Sequence, residues 1–373
     1  MAAVFPFGKP AGPEDIVDRE EFIAELVERL SDGHSVILAG PRRIGKSSVA
    51  GEVLRRLRER GAYTAQLDLF HVTSTEEFGV KLLRAVLENR TGPYHHAVRA
   101  LRGLREWLSR AELKAKVHDL ELGLTFSTGS PDPEEVLETA VNTAEQLATR
   151  DGRQMVVLLD EFQEVDRIGG EPLLKRLRAL FQQQSRVAYL FLGSQTTLLR
   201  TIFGDRRQAF YRFATLLQLP PVPEHAWEEY IRRRLADHDL TISGPALDTL
   251  LSKTGGHPYC VMAVAYNAYL SAKLEGVREI TSDMVHFAYE QTMDHLDEFY
   301  TVQWAEIRRI QHADAVLRAV VEGGQPYALP LYPSAVSKAL RYLMRISILH
   351  KGTQRGQYEL VEPMFGDWVR RHT

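Results

Sequence analysis

The stretch Gly40-Pro41-Arg42-Arg43-Ile44-Gly45-Lys46-Ser47 constrains the fold more than any other feature of the chain. It satisfies the pattern G-x-x-x-x-G-K-[S/T] at every specified position, and its flanks agree with it. The apolar run at 35–39 (SVILA) precedes it, and after Ser48 the helical pattern VAGEVLRRLRERG runs to Gly61. A buried strand, a glycine-rich turn and a helix in that order aim backbone N–H groups and the positive end of a helix at one spot, which is what a phosphate requires. Small residues let the backbone of 40–48 curl round the anion. Lys46 is then placed to reach β- and γ-phosphates and the Ser47 hydroxyl to bind Mg²⁺, so a nucleotide with its Mg²⁺ is the expected ligand.

A phosphate loop of this kind sits at the edge of a parallel sheet, and the chain supplies further strands with helices between them. The run at 62–70 (AYTAQLDLF) reads as a second strand and 75–90 as the helix after it. A helix at 133–149 leads into MVVLLDEF (155–162), an apolar run too short for most helices and typical of a strand buried on both faces. Two more runs, VAYLFLGS (187–194) and ATLLQL (214–219), complete the set. Asp160 and Glu161 emerge at the C-terminal end of the third strand, where ligands of open α/β sheets collect. Asp160 is the candidate to hold Mg²⁺, chiefly through water, and Glu161 the candidate general base for an attacking water. The next strand ends in Gly193-Ser194-Gln195, where either Ser194 or Gln195 is placed to sense a γ-phosphate or fix the water.

At 373 residues two or three domains are expected. Pro220, Pro221 and Pro223 mark a boundary, after which 224–307 reads as helical throughout. From 311 two or three short helices precede SILHKGTQRGQYELV, two strands around a glycine-rich turn, which is a winged-helix pattern. The stretch 91–133 is less regular, with helical periodicity at 97–111 and alternation at 117–126, and is treated as an insertion. Of the 46 basic residues 36 are arginine, the residue for bidentate phosphate contacts, but their location says more than their number. Lys338, Arg341, Arg345, Lys351 and Arg355 fall in 334–357 with no acidic residue among them, making that segment a candidate surface for double-stranded DNA. The longest nearly apolar stretch, 259–270, is far short of a membrane span, and the first residues lack a signal-peptide pattern, so a cytoplasmic protein without membrane contact is expected. The single cysteine, Cys260, reads as a buried core thiol.

Taken together and in order, IVDREEFIAEL, GPRRIGKSS, LLDEF, LFLGS and TGGHPY make the chain resemble the archaeal-type ATPase family, which is close to the signal-transduction (STAND) ATPases and to the replication-initiator branch of the AAA+ ATPases. The resemblance implies a three-layer αβα core with a parallel sheet (1–223), a helical lid (224–307) and a C-terminal winged helix (308–373), acting as a slow ATP-hydrolysing switch. It also implies that Val17, Asp18 and Arg19 line an adenine pocket, with Asp18 as N-cap of the first helix, and that His257 and Pro258 bring the lid onto phosphate or base. Arg206, Arg207 and Arg212 occupy the place where related ATPases keep an arginine that acts on a neighbour's γ-phosphate, so a homo-oligomer or a partner protein is the implied context. No sensor arginine of the usual kind is identified in the lid, and no nuclease activity is expected. The alternative is a DNA-binding initiator or regulator whose nucleotide is mainly structural. A metabolite kinase is a third reading, weakened by the absence of an evident acceptor pocket.

Overall fold

The computed structural model describes residues 4–88, 132–193, 196–352, 354 and 356–372. The periodicities at 97–111 and 117–126, like Ser194, Gln195 and Arg355, lie outside the described residues.

Five strands form one parallel sheet: β1 (Val36–Ala39), β2 (Tyr63–Asp68), β3 (Met155–Asp160), β4 (Val187–Gly193) and β5 (Thr215–Gln218), in the spatial order β2-β3-β4-β1-β5. Side chains alternate across the sheet, and each face finds its own core. Val36, Leu38, Val156, Leu158, Leu190 and Leu192 pack under α1 (Glu20–Ser31) and α2 (Lys46–Glu59). Ile37, Ala39, Ala65, Val157, Leu159 and Phe191 face the other way, onto α3 (Thr75–Glu88), α4 (Pro133–Arg150), the single turn α5 (Val165–Ile168), α6 (Gly170–Phe181) and α7 (Thr196–Gly204). Burial on both faces explains why β1, β3 and β4 read as continuous apolar runs, whereas the edge strand β5 is largely exposed. The result is the three-layer αβα core of a P-loop NTPase.

Beyond Pro223 the chain forms α8 (Glu224–Ala236), α9 (Gly244–Thr254), α10 (Pro258–Glu275) and the long α11 (Ser282–Arg308). One departure from the helical expectation is a two-residue parallel pairing of β6 (Thr241–Ile242) with β7 (Glu279–Ile280). Elements this short leave no periodicity to read. Then follow α12 (Ala313–Val321), α13 (Pro333–Arg345), the antiparallel hairpin β8 (Leu349–Lys351) and β9 (Tyr358–Leu360), and α14 (Pro363–His372). In α13 Val336, Ala339, Leu340 and Leu343 are buried, while Lys338, Arg341 and Arg345 are exposed. A single hydrophobic core runs from Val222 to Val369 and also takes in Val4 and Phe5. Phe5 meets the Tyr230 ring edge-on at 6.1 Å, and Arg234 Nε donates to the Val4 carbonyl at 2.9 Å. Residues 6–12 therefore cross from the helical part back to the sheet. Cys260 is buried in this core, and no helix among the described residues is long and apolar enough to cross a membrane.

Candidate active site

The loop after β1 turns at Gly45, whose φ of 97° is open to glycine and strained for other residues, and α2 starts at once with Lys46. This geometry leaves the first N–H groups of α2 facing the cleft with no side chain capping them. Lys46 is 7% exposed and folds back along the loop, its Nζ donating to the Gly40 carbonyl at 2.8 Å and to the Pro41 carbonyl. Burial lowers its pKa to about 8, against the opposing pull of Glu161 and Asp160; Arg42 adds to the lowering. An arriving phosphate would supply the negative partner that the buried ammonium lacks.

Opposite the loop, β3 delivers Asp160. The Ser47 hydroxyl donates to its Oδ2 at 3.3 Å and the Glu161 N–H to its Oδ1 at 2.9 Å. Burial first, then the charges of Glu161 and Asp68, hold the Asp160 carboxyl above its usual range. A hydroxyl and a carboxylate crowded by negative neighbours are the donor set of a hard cation that keeps waters and phosphate oxygens as its other ligands. Mg²⁺ fits that description. Among the described residues no group of three His, Cys, Asp or Glu could hold a metal by itself, so the ion would depend on the nucleotide.

Glu161 stands at φ 50° and ψ 45°, a conformation costly for a non-glycine residue and held by its surroundings. Phe162, fully buried, packs 4.6 Å from the Phe191 ring and anchors the turn on one side. On the other, Gln163 Nε2 donates to Glu161 Oε2.

These groups floor a cleft of about 610 Å³, within the usual range for small-ligand sites. Arg42, Arg43, Ile44, Gly45, Lys46, Ser47 and Ser48 line it together with Asp160, Glu161, Val17, Arg19 and Pro258. Gly40 and Pro41 contribute their carbonyls to Lys46 instead. Asp18 does not line it and does not cap α1: the N-cap is Arg19, and Asp18 sits in a left-handed turn at φ 51°. The turn frees the Arg19 guanidinium to reach the carbonyls of Pro220 at 2.6 Å and Pro221 at 3.4 Å, so that a cleft residue clasps the start of the helical region. His257 is likewise absent from the cleft wall. Its ring is buried, its pKa lowered by that burial, and the Arg42 backbone and Glu362 carboxylate lie in its surroundings. Arg206, Arg207 and Arg212 are exposed and do not line the cleft of their own chain, Arg207 pairing with Asp205 at 2.9 Å.

Several wall residues carry no signal in the sequence. The segment 6–11 borders the cleft, with the Ala11 N–H bonded to Ser48 Oγ at 2.9 Å, and Trp227, Tyr259 and Met262 make its apolar end. Phe7 packs on the Tyr259 ring at 6.0 Å. The run FPFGKPAGP has turn formers but no motif, and only Tyr259, next to GGHP, was within reach of sequence reasoning.

A phosphate loop at the switch between β1 and its neighbours, faced by an acidic strand tip that bonds to the loop's own serine, defines a P-loop ATPase, an ATP-hydrolysing enzyme. The chain belongs to the family of ATPase domains found predominantly in Archaea, whose sequence profile matches residues 16–264. A Walker-type ATPase of Pyrococcus abyssi has a similar structure, at 18% identity and a TM-score of 0.72, covering 98% of this chain and 99% of that one. The ORC2 protein of Aeropyrum pernix, solved as ADPNP–ADP complexes, is similar at 15% identity and a TM-score of 0.62, over 99% and 97%. The ORC1 protein of the same organism, solved in complex with DNA, gives 15% and 0.52, over 96% and 94%. Likeness at such low identity establishes the fold. No curated protein matches the sequence.

Proposed function

We propose that the chain is a Mg²⁺-dependent switch ATPase of the AAA+/STAND kind, in which residues 1–223 hydrolyse ATP, 224–307 form a lid and 308–373 a winged helix that reports the nucleotide state. The observation that carries this reading is the Ser47–Asp160 hydrogen bond of 3.3 Å, which joins the two halves of the hydrolytic site with Glu161 beside them. Lys46 leaves its carbonyl partners for the β/γ-phosphates. Ser47 and Asp160 hold the cation, which when bound supplies charge neutralisation at the phosphates. Glu161 takes the proton of the attacking water, and Ser194 or Gln195 senses the γ-phosphate. Lid and winged helix share one core, so they move together as the arm of the switch.

Phosphate release and nucleotide binding, measured side by side, test the assignment. Lys46→Ala is expected to weaken binding, and Glu161→Gln to keep binding while losing about 10²-fold in turnover. Wild-type turnover in Glu161→Gln would remove the base assignment.

The exposed basic face of α13 favours a second reading, an initiator-like DNA-binding protein with a mainly structural nucleotide. Protein that keeps unhydrolysed nucleotide through purification and releases no phosphate would support it.

A further inference from the structure

Gln163 is a polar side chain with 4% exposure, two residues past Glu161, in a turn otherwise held by aromatic packing. A carboxylate oxygen only accepts, so the contact with Glu161 Oε2 requires the NH₂ end of the amide there and fixes the side chain's orientation. The carbonyl end, Oε1, is then turned to the tip of β4, where it is buried and has no hydrogen-bond partner among the described residues. Position 193, beside it, is glycine: in this orientation a Cβ there would overlap Gln163 Oε1 and come within 2.7 Å of Leu199 Cδ1. A fold gains nothing by burying an unpartnered carbonyl, which costs stability that an apolar side chain of the same length would return. The cost is therefore to be explained by the other end of the amide.

We propose that Gln163 is a positioning residue of the hydrolytic site, whose amide holds the Glu161 carboxylate in place and ties its position to the tip of β4 at Gly193. The inference rests on the reading of Glu161 as general base. Gln163 does not line the cleft itself. It restricts the carboxylate of a residue already held in a left-handed conformation and lining the cleft.

The test uses the full chain with Gln163→Met and Gln163→Ala, alone and combined with Glu161→Gln. Turnover of ATP, nucleotide affinity and thermal midpoint are measured for each. Gln163→Met is expected to lose about 10-fold in kcat, the lower end of what outer-shell partners cost, with affinity unchanged within about twofold. Its thermal midpoint should hold or rise, because the unpartnered carbonyl is gone. In the Glu161→Gln background the same change should have no further effect, since the two residues act as one unit. A lowered midpoint with turnover lost in proportion in both Gln163 variants would mean that Gln163 is only structural. Full additivity with Glu161→Gln would mean that it acts elsewhere. A wild-type rate in Glu161→Gln alone would remove the base, whereas a slow Glu161→Gln beside a wild-type Gln163→Met removes only the present inference.

Discussion

The Arg43 guanidinium lies 3.6 Å from the Glu362 carboxylate and 4.6 Å from the centre of the Tyr259 ring, so one residue of the phosphate loop touches the helical region and the C-terminal segment at once. Arg43 reaches both from a left-handed backbone conformation at φ 63°. Glu362 is shared as well, since it also accepts from the Tyr300 hydroxyl of α11.

From this contact we expect Glu362→Ala to speed ADP release several-fold; because it also strips the buried Tyr300 hydroxyl of its acceptor, the thermal midpoint should fall as well, and the Arg43 pair contributes the smaller part of that fall. The pair is half exposed at Arg43, and such pairs contribute about 1 kcal/mol or less. Stopped-flow release of a fluorescent ADP gives the rate. An unchanged rate would leave the contact without a part in nucleotide exchange.

Lys46 should write a pH dependence into the nucleotide-free protein. Its pKa falls from 10.5 in the unfolded chain to about 8 in the folded one. Below pH 8 the lysine is charged in both states, and the full cost of burying it, about 3 kcal/mol, is present. Between pH 8 and 10.5 the folded protein gives up the proton first and the cost fades. Denaturant unfolding of the parent and of Lys46→Met across this window should show the mutant's relative advantage shrinking by about that amount as pH rises. A difference that stays flat would mean that the buried ammonium is stabilised by partners other than the carbonyls of Gly40 and Pro41.

Arg206, Arg207 and Arg212 do not line the cleft of their own chain, and we propose that they act in a neighbour's site. Mixing a Lys46→Ala chain with one carrying alanine at all three arginines should then restore turnover that neither has alone. Absence of rescue, with a monomeric mass during turnover, would exclude a shared site.

On α13 three cations stand on one face over a buried apolar stripe, and Lys351 continues the charge on the hairpin. If this face meets duplex DNA, five phosphate contacts, counting Arg355, give a slope near −4.5 in log K against log salt, at about −0.9 per contact. Changing Lys338, Arg341 and Arg345 to alanine should reduce the slope by about 2.7. Anisotropy titrations at two or more salt concentrations measure it. Undetectable binding at low salt would leave the face to a protein partner.

The parts legible in the sequence are those whose cause is local. The apolar run, Gly45 and Lys46 are contiguous, and the burial of β3 on both faces puts Asp160 at a strand tip whatever else the chain does. The central strands β1 and β4 announce themselves in the same way. What escaped depends on distant pairings: Gln163 has meaning only once Gly193 lies beside it, and Glu362 only once α14 has brought it to Arg43. Asp18 escaped for a different reason. Its spacing to Glu21 suits a capping box, but the backbone turns left-handed at Asp18, α1 takes Arg19 as its N-cap, and the Arg19 guanidinium goes to the carbonyls of Pro220 and Pro221, a pairing 201 and 202 residues away in the chain.

The seating of Val4 and Phe5 has a bearing on how the molecule is made. Their partners Arg234 and Tyr230 come 230 and 225 residues later, and at about 5–20 residues per second the ribosome needs roughly 10–50 s to deliver them. During that interval the sheet can only begin to assemble, β5 being made shortly before Tyr230, while two aromatic residues, Phe5 and Phe7, wait in water with no pocket to enter. Pro6 between them denies the segment a strand's hydrogen-bonding pattern, which keeps the waiting chain from pairing with others. The cleft thus gains its last wall only when the helical half is finished, and a nascent chain stalled before Tyr230 would carry a phosphate loop with that end of the cleft open.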